Sequence, residues 1–145
     1  MTSPLLDGLS DAQRASVIAI GRIEDYAAGT RLFDEDGDAD RCWLLISGHV
    51  VVDVHLGTRG SVPLQSVGPG EPLGWSWLIP PYRWHFGAET AAPTRALVLD
   101  AERLRALLES DEALGFRFSQ GLLGALANRL LATRLRLLDL YRDPA

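Results

Sequence analysis

Apolar residues fall into short runs broken by turn residues through the middle of the chain, and into helical spacing only towards its two ends. Ser10-Asp11-Ala12-Gln13 has the form of a capping box, followed by Ala15, Val17, Ile18 and Ile20 before Gly21. That order predicts a short helix with a defined start and stop. Between Arg22 and Asp100 the turn signals are Gly29-Thr30, Asp36-Gly37, Ser47-Gly48, Leu56-Gly57, Gly60-Ser61, Gly68-Pro69-Gly70 and Ala92-Pro93. They separate predicted strands at 42–46, 49–56, 64–67, 84–91 and 96–99, with two more near 23–26 and 31–33. The gaps are too short for helical crossovers, so the strands pair antiparallel, as in a sandwich or roll.

After Asp100, the expected N-cap, the pattern turns helical through Leu104, Leu107 and Leu108, and again from Asp111 to Tyr141. In the last helix, Leu123, Leu126, Leu130, Thr133, Leu137 and Leu140 step alternately by three and four, the spacing of a coiled-coil seam with one polar interruption. A second stripe, Ala127, Leu131, Leu135 and Leu138, lies beside it. One small roll covers only part of so wide an apolar face, so one stripe is expected to pack on the parent domain. The seam from Leu123 to Leu140 is the one expected to meet the same helix of a second subunit. The alternative is that both stripes are buried within one chain.

The 145 residues fit one domain, expected as an N-terminal helix over 1–21, strands over 22–100 and C-terminal helices over 101–142. A domain of this size buries a sizeable core without staples. Cys42 is the only cysteine, which excludes an intrachain disulfide and points to a reducing compartment. No apolar run reaches membrane-spanning length and the amino terminus lacks the order of a secretory signal, so a cytoplasmic protein is expected. A net charge of −5 gives the chain no overall attraction to nucleic acid. Arg129, Arg134, Arg136 and Arg142 make the last helix locally basic, a face expected to be solvated or paired with acids such as Asp139.

Chemistry concentrates in one stretch. Five aromatic rings, Trp75, Trp77, Tyr82, Trp84 and Phe86, fall within twelve residues together with Ser76, Arg83 and His85. Such a surface is either a packed centre or a recognition site. Trp75 and Trp77 alternate with Gly74 and Ser76, so an extended segment would point both indoles to one face. Tyr82, Arg83 and Trp84 would suit an arginine–aromatic cluster. No catalytic set accompanies them: nucleophile elbow, Walker loop and paired Cys/His are all missing, so no enzyme is expected. His49, His55 and His85 lack metal-ligand spacing. The acidic loop of Asp34, Glu35, Asp36, Asp38 and Asp40 lacks the twelve-residue calcium pattern and reads as a solvated turn.

The order of elements, with the motifs Tyr26-Ala-Ala-Gly29-Thr-Arg-Leu32-Phe33, Glu35-Asp-Gly37-Asp38-Ala39-Asp40, Trp43-Leu-Leu-Ile-Ser-Gly48-His-Val50 and Gly68-Pro-Gly70-Glu-Pro-Leu-Gly74, resembles the cyclic-nucleotide-binding domains of the catabolite-activator type. The resemblance spans residues 5 to 141. It implies an antiparallel double-stranded β-roll (jelly roll) with flanking helices, a regulatory role in signal transduction, a homodimer through the last helix, and a phosphate-binding cassette after Gly70. In that family the cassette glutamate holds the ribose hydroxyl and a later arginine holds the cyclic phosphate. Here Trp75 stands where that glutamate is expected, and an indole only donates. Pro80 and Pro81 remove two backbone donors from the turn. Arg83 is the best match to the phosphate arginine but precedes Trp-His-Phe. Losing hydrogen bonds worth about 1.5–3 kcal/mol each to charged groups predicts impaired or absent cyclic AMP binding. The chain also stops at Ala145, where the family's transcription factors continue into a winged helix-turn-helix.

These observations together predict a non-catalytic regulatory or adaptor module, homodimeric, acting through a protein partner and neither nucleic acid nor membrane, with no cofactor or metal. Trp75, Ser76, Trp77, Tyr82, Arg83, Trp84 and His85 form its expected ligand or partner surface. The alternatives are a genuine cyclic AMP or cyclic GMP sensor, an accessory subunit of a larger enzyme complex, redox complexes included, and a haem sensor using His85 or Cys42.

Overall fold

A computed structural model describes residues 3–142. The capping box forms as the sequence predicts: Ser10 Oγ accepts from Gln13 N, and Gln13 returns a bond to Ser10 N, opening α2 (Asp11–Ala19). A one-turn helix, α1 (Pro4–Asp7), precedes it, with Pro4 in its first turn and the Ser3 hydroxyl as cap. This helix had no periodic signal, being too short to show one.

Eight strands follow: β1 (Gly21–Tyr26), β2 (Arg31–Phe33), β3 (Arg41–Ser47), β4 (Val50–His55), β5 (Ser61–Val67), β6 (Pro72–Leu73), β7 (Gly87–Thr90) and β8 (Thr94–Asp100). They build two four-stranded antiparallel sheets, ordered β1-β8-β3-β6 and β2-β7-β4-β5. The molecule is thus a β-roll with flanking helices. On β3 and β8 the residues 42–45 and 96–99 are all buried. Such continuous burial marks strands covered on both faces, and it explains why their sequences read as unbroken apolar runs rather than alternation. Cys42 lies in this layer, fully buried, and burial pushes its thiol pKa up.

The strand expected over 84–91 begins only at Gly87. Trp84 leaves the sheet because its backbone pairs with the acidic loop instead: Asp36 N donates to Trp84 O (2.7 Å) and Trp84 N to Gly37 O (2.9 Å). The acidic loop therefore has a structural partner, which its composition did not disclose.

Asp100 caps α3 (Ala101–Ser110) by accepting from Arg103 N, and Asp111 caps α4 (Glu112–Leu140) by accepting from Leu114 N. Leu114, Phe118 and Leu122 anchor the first half of α4 in the core. At Gly121 an added Cβ would lie 2.8 Å from Pro4 O, so the missing side chain lets α1 approach α4 closely. From Leu123 onward the helix projects along the roll with its leucines largely exposed: Leu123, Leu130, Leu131, Leu135, Leu137, Leu138 and Leu140 are all at least half open to solvent. The alternative in which both stripes are buried in one chain is therefore not what forms.

Candidate functional site

The site is built on the segment that leaves β5 and returns at β7. Gly70 N donates to Leu45 O (2.7 Å) and Leu45 N to Glu71 O (3.1 Å), which lays β6 beside β3. Gly74 then takes φ +79°, a conformation open mainly to glycine. A Cβ there would also stand 2.8 Å from the Trp84 ring. Turn and packing thus both require glycine at this position.

Beyond Gly74 the backbone does not extend. Leu78 N donates to Trp75 O (3.0 Å), closing a turn that sends the two tryptophans in different directions. This corrects the expectation that they share a face. Trp77 is fully buried and meets Phe118 of α4 edge-on, with centroids 6.0 Å apart at 78°. Its indole Nε1 has no hydrogen-bond partner. Trp75 remains half-buried with its ring against His85, centroids 5.2 Å apart. Ser76, itself buried, places Oγ 3.2 Å from His85 Nδ1.

The arginine–aromatic cluster forms with a different arginine. Arg105 of α3 sits 4.0 Å above the Tyr82 ring and donates through Nη1 to Trp77 O (2.6 Å), tying the cassette to the helices. Tyr82 adopts φ +58°, and this turn carries Arg83 to the outside. Arg83 Nη1 donates to Asp36 O (2.7 Å), Nη2 lies 3.9 Å from Asp38 Oδ1, and the side chain is 53% exposed. Trp84 turns inward and stacks on Phe33 at 3.8 Å, with Trp43 at 6.0 Å.

Between this cassette, the β4–β5 hairpin and α4 lies a cavity of about 640 Å³. Of the residues singled out in the sequence, Trp75, Ser76, Trp84 and His85 line it, whereas Trp77, Tyr82 and Arg83 do not. Leu126, Leu130 and Thr133 form its helical wall, and an adjoining cavity of about 430 Å³ continues to Thr133, Leu137 and Leu140. Most of the seam assigned by spacing to a partner thus faces the chain's own roll across a groove. Leu131, Leu135 and Leu138 do not line these cavities.

Sequence reasoning missed Arg129. It enters the cavity wall from α4, with its side chain 16% exposed, and Nη2 donates to Pro72 O (2.9 Å) and Glu71 Oε2 (3.3 Å). Its position three residues after Leu126, on the edge of the apolar seam, was the available signal. Among the described residues, no group of three or more His, Cys, Asp or Glu is placed to hold a metal ion, and Cys42 in β3 does not line the cavity. Also among the described residues, no helix is long and apolar enough to cross a membrane.

Comparison with known proteins fits this geometry. The sequence profile of the cyclic nucleotide-binding domain matches residues 23–111. The chain belongs to the cyclic nucleotide-binding domain family. The fold is similar to that of a Geobacter metallireducens protein bearing the name cyclic nucleotide-binding protein, with 28% identity and TM-score 0.78 over 90% of this chain and 99% of that one. It is also similar to the Thermus thermophilus catabolite activator protein, with 25% identity and TM-score 0.75 over 96% of this chain and 63% of that one. This domain thus spans under two thirds of the latter protein. A cyclic nucleotide-binding domain from Methylobacillus flagellatus shares the fold at TM-score 0.82 and 21% identity, covering 94% of this chain and 82% of that one. No curated protein matches the sequence significantly.

Proposed function

We propose that this chain is a non-catalytic regulatory module that keeps the family's fold and pocket location but no longer reads a cyclic nucleotide in the family's manner. The observation that carries this reading is the disposition of Arg83. The cassette's one arginine lies outside the cavity, donating to the carbonyl of Asp36 with the exposed Asp38 carboxylate 3.9 Å away. Trp75 follows Gly74 where an acceptor for a ribose hydroxyl is expected, and its indole offers none. A cyclic phosphate entering this cavity would lose its hydration with no cassette guanidinium to replace it, and the one arginine lining the cavity, Arg129, comes from α4 and is already bonded to Glu71 and Pro72. A thermal-shift series with cyclic AMP, cyclic GMP and cyclic dinucleotides tests the reading. No stabilisation is expected, whereas a concentration-dependent rise in melting temperature overturns it.

The module is proposed to act as a homodimer through α4 and to pass its output to a protein partner. What supports self-association is the length of exposed apolar helix: Leu123, Leu131 and Leu138 are 67%, 57% and 56% exposed. Gly124, with nothing within 4 Å of where a Cβ would stand, leaves space for another helix to approach closely.

A further inference from the structure

The cavity sets a single guanidinium among apolar and aromatic walls. Leu73, Trp75, Trp84, Phe86, Leu126 and Leu130 give it apolar and aromatic walls on both the roll side and the helix side. Its polar lining is short: Gln65, Ser76, His85, Arg129 and Thr133. Ser76 and His85 already face each other, which leaves Arg129 as the one permanent cation of the cavity. Both hydrogen bonds of Arg129 come from Nη2, so Nη1 and Nε make none among the described residues and remain able to donate. Its companion Glu71 is 43% exposed, so solvent screens that pair and its hold on the guanidinium is weak.

A cavity of about 640 Å³ falls within the size of small-molecule sites, where apolar walls supply affinity and a few polar groups fix orientation. Flat rings suit walls made of indoles and leucines, and a single partly buried guanidinium suits a single carboxylate. A phosphate monoester, a dianion, would need a second cation, and Arg83 points out to the acidic loop while Arg136 lines the adjoining cavity rather than this one.

We propose that this cavity binds a flat aromatic monocarboxylate, its ring system held among Trp75, Trp84 and Leu130 and its carboxylate accepting from Arg129. The inference rests on the reading that the pocket has left cyclic nucleotides, and it names what replaces them. The ligand bridges the roll and α4, so its occupancy fixes the projecting half of that helix relative to the cassette.

The test uses 2-naphthoate and its neutral isostere 2-naphthamide as probes of the full chain, followed by tryptophan emission and by calorimetry. The naphthoate is expected to bind with a dissociation constant on the order of 10–100 µM, a range fitting a ligand of its size. It should bind about tenfold tighter than the amide, the margin of a charge-assisted hydrogen bond. Arg129→Met erases that margin while leaving amide binding in place. Glu71→Gln, which removes the competing carboxylate, strengthens naphthoate binding. Leu130→Trp fills the cavity and abolishes binding of both probes, with an unchanged circular dichroism spectrum showing that the fold persists. Equal binding of acid and amide overturns the proposal, as does a margin that survives Arg129→Met, or no binding of either probe to the folded protein. These failures leave cyclic nucleotide binding absent. Displacement of naphthoate by cyclic AMP instead defeats the underlying reading, so the two outcomes are distinguishable.

Discussion

Arg31 shows how a single side chain organises one sheet. Its Nη1 and Nη2 reach both carboxylate oxygens of Asp53, at 2.6 and 3.0 Å, while Nε bonds Asp34 at 2.7 Å. Asp53 is buried and the guanidinium pKa is driven up, chiefly by the hydrogen bonds to Asp53. The fork passes directly over Gly87, where a Cβ would stand 2.0 Å from Arg31 Nη2 and 2.6 Å from Asp53 Oδ1. Gly87→Ala is therefore expected to lower stability by about 2–3 kcal/mol through overpacking and displacement of the pair, read as a fall in the urea midpoint. Nothing in the sequence marked Gly87 as more than a small residue in a strand, because its constraint comes from residues far along the chain.

A second residue-scale network carries a pH dependence. Tyr26 Oη donates to Glu24 and accepts from Trp43 Nε1 at 3.1 Å. The hydrogen bond from Tyr26, and after it the one from Arg22, holds the Glu24 carboxyl below its usual range. Burial, followed by the bond to Glu24, raises the Tyr26 phenol. A lowered carboxyl contributes stability that is present above the ordinary carboxylate pKa of about 4 and lost as pH falls through the folded value. A raised phenol contributes stability that is present below about pH 10 and lost as pH rises through its folded value. Tyr26→Phe is expected to flatten both limbs of a plot of urea midpoint against pH, the alkaline limb more completely, since Arg22 still holds Glu24 at the acid end. Unchanged limbs would show that the network does not couple to folding.

Among the elements, the cassette is where local pattern and outcome part. The caps at Ser10 and Asp100 and short apolar runs between turn residues specify α2, α3 and most strands, because the information lies within a few residues. The cassette is specified by contacts that sequence proximity does not display. Trp77 is fixed by Phe118 on α4 and by Arg105 on α3, and Arg83 is turned out by the acidic loop. The aromatic cluster was legible as a centre, but the sorting of its rings into pocket wall and core was not. Trp77→Ala is expected to cost about 3–5 kcal/mol, as truncation of a fully buried ring does. Denaturant titration followed by far-ultraviolet circular dichroism measures it, and a cost below about 1 kcal/mol would mean that the cassette is not anchored through this indole.

For the whole molecule, the β-roll with a long final helix was legible from the order of elements, and the width of the helix's apolar face from its leucine spacing. Which stripe faces which neighbour was not legible, since both repeat at helical intervals and only the placement of Leu126, Leu130 and Thr133 along the cavity separates them. With that placement, Leu131 and Leu138 belong to the proposed subunit contact. Leu131→Glu combined with Leu138→Glu is expected to yield monomers in light scattering while leaving helix content intact. A dimer that persists would place the contact elsewhere.

Calorimetric titration of the protein with cyclic AMP asks whether Arg83 and Trp75 leave the pocket closed to a cyclic nucleotide. The expected result is no saturable heat at ligand concentrations up to about 100 µM, which corresponds to binding weaker than about −5.5 kcal/mol. Saturable binding with a dissociation constant near 1 µM, abolished by Arg83→Ala, would show instead that the arginine swings into the cavity to meet a cyclic phosphate.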